Sequence, residues 1–145
     1  MLLGRAWVFV DLSIEVNSIP ISVNKMYGQN GRRRFLTKEA SNFKNLIKNI
    51  YFLKYRNIVI KKIPLYFSIK VYSKFINNGK VKRVDVDNYL KICQDAFFEA
   101  GGIDDKWVFG VSAEKINSEE TKTLISLKAH IIDPSTTIKE QPTLF

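Results

Sequence analysis

Four segments of the chain alternate between apolar and polar residues, and this two-residue period is typical of half-buried β-strands. The first segment covers 11–17 and the second covers about 65–72. Two more strands are predicted over about 107–116 and 122–132. A short polar turn at 117–120 separates these last two strands, so we expect them to pair as a hairpin.

Two other segments repeat apolar residues every three or four positions, which is the spacing of an amphipathic helix. The first covers about 38–54 and follows Thr37, a residue type that commonly caps a helix. The second follows Asp87 and ends at the pair Gly101-Gly102, because glycine favours the left-handed conformation of a helix C-terminus. The order strand, helix, strand, helix, strand, strand predicts an α+β fold in which two main helices cover a mixed four-stranded sheet.

The remaining segments and the composition predict a single globular domain. Polar stretches at 22–34 and 77–80 are typical of loops. The 145 residues are 46% hydrophobic and 26% charged, and no apolar run approaches the roughly 18 residues that cross a bilayer. We expect neither a membrane span nor a secretory signal. The single cysteine, Cys93, excludes an internal disulfide and favours a reducing compartment such as the cytoplasm.

Charge is strongly polarised along the sequence, whose net charge is +9. Residues 24–83 include sixteen basic residues and one acidic residue, whereas 84–145 include six basic and eleven acidic residues. A basic half is suited to a polyanion such as DNA, and an acidic half could hold metal ions. The alternative is a solvated, lysine-rich surface, since Lys, Ile and Asn are abundant throughout the chain.

The first acidic residues of interest stand where the second helix begins. In an extended segment residues two apart point the same way, so Asp85 and Asp87 can present both carboxylates to one side. Lys91 lies one helical turn beyond Asp87, where its positive charge could assist a reaction at phosphorus. In the structural alternative, Asp87 caps the helix and Asp85 pairs with Arg83.

A second acidic pair, Asp104 and Asp105, follows the predicted glycine turn. We expect the turn to bring one of them back toward the first two aspartates, although both could simply be turn residues. Carboxylates grouped without His or Cys favour Mg²⁺, with Mn²⁺ as the alternative. Such an ion can activate a water for phosphodiester hydrolysis.

The region 85–105 resembles the hallmark segment of the RusA family of Holliday junction resolvases. The resemblance rests on Asp-Val-Asp-Asn-Tyr-Leu-Lys at 85–91, Gln-Asp-Ala-Phe at 94–97 and Ala-Gly-Gly-Ile-Asp-Asp at 100–105. Upstream, Pro-Ile-Ser-Val-Asn at 20–24 is similar to the family's Pro-Pro-Ser-x-Asn segment. The resemblance implies a homodimeric, Mg²⁺-dependent endonuclease of bacterial or phage origin that cuts four-way DNA junctions by paired nicks during recombination and repair.

By the same resemblance, Asp85, Asp87 and Asp105 match the family's catalytic, metal-binding aspartates, and Lys91 matches its essential helix lysine. The family usually has a longer link between the glycine and the acidic pair, so Asp104 stays an alternative to Asp105 as a metal ligand.

We expect basic and polar residues on both sides of the acidic segment to bind the DNA backbone. They are Asn24, Lys25, Arg32, Arg33, Arg34, Lys80, Lys82 and Arg83. Tyr27 and Phe35 flank the three arginines and could stack on unpaired bases, although burial in the core is the stronger expectation for Phe35.

We expect an endonuclease domain at 1–133 and, because 134–139 begins with a proline and is mainly polar, a flexible C-terminal tail at 134–145. Gln141, Leu144 and Phe145 resemble the Gln-x-x-Leu-Phe motif that docks into a pocket of the replicative sliding clamp. A tail that folds back on the domain is the alternative. For the whole protein, two rival hypotheses are a non-catalytic module that binds branched nucleic acid and a nuclease for other branched DNA, such as flaps or forks.

Overall fold

The computed structural model describes residues 11–60 and 62–130. The first half of this region contains β1 (Asp11–Val16), β2 (Tyr27–Asn30), β3 (Arg33–Leu36) and α1 (Lys38–Tyr55). The second half contains β4 (Leu65–Ser73), β5 (Ile76–Asn77), β6 (Lys80–Val81), α2 (Leu90–Gly101), β7 (Val108–Asn117) and β8 (Lys122–Ala129). Single-turn 3-10 helices cover Val23–Lys25, Val86–Tyr89 and Asp105–Trp107. No helix in the described ranges is both long and apolar enough to cross a membrane.

The central element is a mixed four-stranded sheet in the order β1-β8-β4-β7. Strand β4 is parallel to β7 and antiparallel to β8, which is in turn antiparallel to β1. Alternate residues of β4, Leu65 to Val71, are almost fully buried. This arrangement confirms the predicted α+β fold with a mixed four-stranded sheet and two main helices.

The predicted hairpin between the last two strands is wrong, because β4 lies between β7 and β8. The linker at 118–121 therefore crosses two strand spacings, about 10 Å, which four residues can span. The crossing is held against the end of β4: the Ser118 N–H donates to the Ser73 carbonyl at 2.9 Å. Asn117 Oδ1 also accepts from the backbone N–H of Phe75 at 2.8 Å and of Ile76 at 2.9 Å.

Both helices pack an apolar face into one core with the sheet. The core contacts centre on Phe97 of α2, whose ring centroid lies 5.1 Å from Tyr51 of α1 and 5.8 Å from Phe67 of β4. Thr37 caps α1, because its Oγ1 accepts from the Ala40 N–H at 3.3 Å. Gly102 ends α2 with φ of 65°, as the glycine pair predicted.

Both predicted loops contain regular structure. Residues 22–34 hold the first 3-10 helix and part of the β2–β3 hairpin. Met26 anchors this segment, because it is fully buried and its carbonyl accepts from the Thr37 N–H at 2.8 Å. Strands β5 and β6 pair across Asn78 and Gly79, whose φ values of 52° and 77° form a tight turn. Polar composition hid both hairpins, since it indicates loops and does not show which backbone groups pair.

An ion-pair network joins the two helices and gives a first testable prediction. Glu99 of α2 lies 2.7 Å from Lys44 and 2.6 Å from Lys48 of α1. Burial raises the pKa of Glu99, but hydrogen bonds and attraction from both lysines outweigh it, so its pKa is lowered overall. Stability from such a group is present above the unfolded-state pKa and is lost as the pH falls through the folded-state pKa.

We expect Glu99→Gln to lower the unfolding free energy at pH 7 by about 1 kcal/mol or less, because the glutamate side chain is 47% exposed. The variant should also lose less stability than the wild type as the pH falls below the ordinary pKa of 4.5. Urea unfolding across this pH range measures both effects. Glu119→Gln is the matched control, and an equal response from it would contradict the assignment.

Candidate active site

A cleft of about 720 Å³ lies between the segment 19–25 and the segment 82–89. The first wall ends in the Val23–Lys25 helix, and the second joins β6 to α2. Lys25, Lys82 and Arg83 line this cleft together with Asp85. The structure therefore brings the Pro-Ile-Ser-Val-Asn segment next to the first acidic residue of the Asp-Val-Asp motif, although about sixty residues separate them in the sequence.

Asp85 and Asp87 lie at the start of the Val86–Tyr89 helix and not in an extended strand. Asp85 is the residue before this helix, with φ of −76° and ψ of 131°, and Asp87 lies in its first turn. The extended geometry expected for both residues is therefore wrong for Asp87, which already lies in the 3-10 helix, and right for Asp85 alone. Both residues are exposed.

The structural alternatives for these two aspartates find no support. Within 11–60 and 62–130, neither carboxylate forms a salt bridge, and Asp85 makes no capping hydrogen bond. The residue that precedes α2 is Tyr89, not Asp87. Both carboxylates are consequently accessible to a ligand from solvent.

In the second acidic pair, the Asp104 side chain caps a helix and the Asp105 side chain does not. Asp104 Oδ1 accepts from the Lys106 N–H at 3.0 Å, which caps the Asp105–Trp107 helix. Asp104 thus makes the hydrogen bond expected of a turn residue. The exposed carboxylate of Asp105 has no ion-pair partner among the described residues.

The described part of the chain contains no group of three or more His, Cys, Asp or Glu residues close enough to hold a metal ion. The predicted convergence of three aspartates is therefore not preformed in this single chain. The roles of Asp85, Asp87, Asp104 and Asp105 as ligands stay predictions.

Lys91 lies on the first turn of α2, as the spacing predicted. Its ammonium lies 3.2 Å from the carboxylate of Asp95, one helical turn further on, and half of its side chain is exposed. Sequence reasoning missed this pair, although the separation of four residues could have indicated it. A partly exposed pair of this kind contributes little stability.

Lys115 of β7 is a second residue that the sequence analysis missed. Its ammonium donates to the Val84 carbonyl at 2.7 Å and lies 5.3 Å from the centroid of the Phe75 ring. In the β4–β7 register it lies opposite Val71, a fully buried residue. Lys115 therefore fixes the backbone immediately before Asp85 to the edge strand of the sheet.

We expect Lys115→Met to speed hydrogen exchange of the backbone amides at 84–89 by about tenfold. The substitution keeps an apolar stem but removes the donor to the Val84 carbonyl, a loss of about 1 to 2 kcal/mol. Hydrogen-exchange mass spectrometry measures the local effect. Lys128→Met, at an exposed position of β8, is the control, and similar exchange at 84–89 in both variants would contradict the anchoring role.

Two smaller grooves adjoin the cleft and carry more of the predicted DNA-binding residues. A groove of about 490 Å³ shares Asn24 with the cleft and includes Arg34. Another of about 460 Å³ shares Lys82 and includes Lys80. These three depressions form one basic surface around Asp85.

The β2–β3 hairpin carries the arginine triplet at the edge of this surface. The Arg34 guanidinium lies 4.0 Å from the centroid of the Tyr27 ring, and Arg32 and Arg33 are exposed. The expectation of core burial for Phe35 is wrong, because 49% of this residue is exposed. Gln141, Leu144 and Phe145 of the predicted clamp motif lie outside the described residues.

The α+β fold, the exposed aspartates and the basic surface around them are those of a nucleic-acid-processing enzyme. A family model described as Endodeoxyribonuclease RusA matches residues 18–128. This match covers well over half of the chain, so the chain belongs to the RusA family of Holliday junction resolvases, nucleases that act on branched DNA. A search of curated proteins finds no match.

Proposed function

We propose that this protein resolves four-way DNA junctions by paired, symmetric nicks and requires Mg²⁺. The observation that carries the proposal is Asp85, an exposed carboxylate on the wall of a cleft that Lys25, Lys82 and Arg83 also line. Within the described ranges none of these cations neutralises it. The cleft thus combines positive charge that can bind phosphates with a carboxylate oxygen that can bind a metal ion.

Binding of the DNA backbone follows from the charge of the three depressions. Phosphates would contact Lys25, Lys82 and Arg83 in the cleft, and Arg34 and Lys80 in the adjoining grooves. Because Asp85 and Asp87 repel phosphate, these cations are needed to hold the strand near the carboxylates. Phosphate contacts position a duplex without reading its sequence, which suits recognition of a branched shape.

The donor set fits a hard divalent ion. Mg²⁺ commonly takes one or two protein carboxylates and completes its shell with water and substrate phosphate oxygens. Asp85 and Asp87 would be these carboxylates, and Asp105 is the further candidate, since Asp104 already caps the Asp105–Trp107 helix. When bound, the ion would activate a water and neutralise charge on the reacting phosphate.

Two lysines of the chain would assist the reaction, one by positioning Asp85 and one by its charge. The Lys115 hydrogen bond holds the backbone before Asp85, which limits the movement of that carboxylate. The Lys91 ammonium, once released from Asp95, would add positive charge beside the leaving oxygen.

Two nicks across a branch point need two copies of the site. A two-fold homodimer supplies them because the symmetry of the pair matches the symmetry of the junction. We propose such a homodimer, acting on DNA in the cytoplasm of a bacterial or phage-infected cell.

The proposed function is tested on labelled DNA of defined shape. We expect Mg²⁺-dependent nicks at symmetric positions of a four-way junction and little cleavage of a linear duplex of the same sequence. Tight binding without nicking would favour the non-catalytic module. Faster cleavage of flaps or forks than of the junction would favour a nuclease for other branched DNA.

We further propose that residues 134–145 form a tail whose Gln141, Leu144 and Phe145 bind a sliding clamp, separate from the nuclease domain at 1–133. Deletion of 141–145 should leave junction cleavage unchanged within about twofold and abolish association with a purified clamp, because two apolar anchors are lost. Surface plasmon resonance measures the association. Clamp binding that survives the deletion would contradict this role.

A further inference from the structure

Phe35 on the β2–β3 hairpin is an exposed aromatic residue that packs against the opposite strand. Its ring lies against Gly28, its cross-strand partner: a Cβ atom at Gly28 would lie 2.6 Å from Phe35 Cζ. Any larger residue at 28 would thus displace the ring. Glycine lets the ring rest on the backbone of β2, while 49% of Phe35 stays open to solvent.

The charges on the hairpin favour a nucleic-acid ligand. Residues two apart in a strand share a face, so Arg33 projects from the same face as Phe35. Arg34 projects from the opposite face, where it stacks on Tyr27 beside the groove that shares Asn24 with the cleft. The open ring therefore shares its face of the hairpin with Arg33, and the opposite face carries Arg34 beside the groove that adjoins the cleft.

We propose that Phe35 is a stacking platform for an unpaired nucleobase at the branch point, with Arg33 bound to the phosphate of that nucleotide. This inference rests on the proposed function. Every base has a π-face, so an aromatic platform recognises an unstacked base without reading its identity. A linear duplex presents no such base, which makes Phe35 a determinant of the preference for branched DNA.

The test is a comparison of binding affinities without divalent metal, so that no cleavage occurs. Four-way junctions are prepared with intact nucleotides or with abasic sites at the branch point, and fluorescence anisotropy measures binding by the full chain. We expect Phe35→Ala to weaken binding of the intact junction about tenfold and to leave duplex binding unchanged. With the abasic junction, wild type and Phe35→Ala should bind equally.

Two further variants separate stacking from folding. Gly28→Ala keeps the aromatic residue but displaces its ring, so it should weaken junction binding in the same direction. Phe52→Ala removes an aromatic residue of α1 that is similarly exposed, at 44%, and should bind like wild type. Circular dichroism checks that each variant is folded.

An equal loss of junction and duplex binding in Phe35→Ala would overturn the proposal. Equal affinity of the wild type for intact and abasic junctions would also overturn it. The metal-free assay does not depend on catalysis. A wild-type protein that binds as described but never nicks DNA with Mg²⁺ would therefore contradict the proposed nuclease function and leave the stacking role supported.

Discussion

Asp105→Asn is expected to reduce junction cleavage by about two orders of magnitude or more, whereas Asp104→Asn is expected to cleave within about threefold of wild type. The two neighbours differ in what their carboxylates do. Asp104 accepts a hydrogen bond from the Lys106 N–H, and asparagine can make the same bond and is an equally good cap. Among the described residues Asp105 makes no such side-chain hydrogen bond, so its charge is free for the metal-binding role that we propose.

Single-turnover nicking of a labelled four-way junction in Mg²⁺ measures this difference. Junction binding in the absence of divalent metal should be unchanged in both variants, which shows that neither has lost its fold or its basic surface. An inactive Asp104→Asn and an active Asp105→Asn would reverse the assignment of the third ligand.

Removal of the three cleft cations should have the largest effect on affinity. We expect the combined variant Lys25→Ala, Lys82→Ala, Arg83→Ala to bind junctions on the order of a hundredfold more weakly at low salt. The slope of log affinity against log salt should also become shallower by about 2.7, since each lost phosphate contact removes about 0.9.

The control variant removes the same charge from Arg56, Lys62 and Lys128, which are exposed and lie outside the cleft and its grooves. It should keep the wild-type salt slope within about one unit. An equal change of slope in both variants would mean that the DNA is attracted by net charge alone. The cleft would then have no special place in binding.

Elements whose signal is local were predictable from the sequence. Alternation placed β1 and β4, and apolar spacing with Thr37 and Gly102 placed α1 and α2 to within a few residues. Strand order was not predictable in the same way. Which strand lies beside β4 depends on contacts between distant residues, and the short turn after Asn117 is equally compatible with a hairpin and with a crossing of β4.

The candidate site, like the fold, could be predicted from the sequence only in part. The acidic and basic residues could be selected from type and spacing, because metal and phosphate chemistry restricts both. Their surroundings could not, because the Lys115 hydrogen bond to the Val84 carbonyl joins residues that are 31 positions apart in the sequence. The exposure of Phe35 likewise depends on its cross-strand contact with Gly28, which the sequence pattern did not indicate.

The most direct test of the central claim compares wild type and Asp87→Asn on one labelled four-way junction, with and without Mg²⁺. The claim is that the carboxylates at the start of the Val86–Tyr89 helix hold the ion that makes the protein a nuclease. It predicts nicks only for wild type with Mg²⁺, and equal junction binding by both proteins. Nicking by Asp87→Asn at the wild-type rate would contradict it.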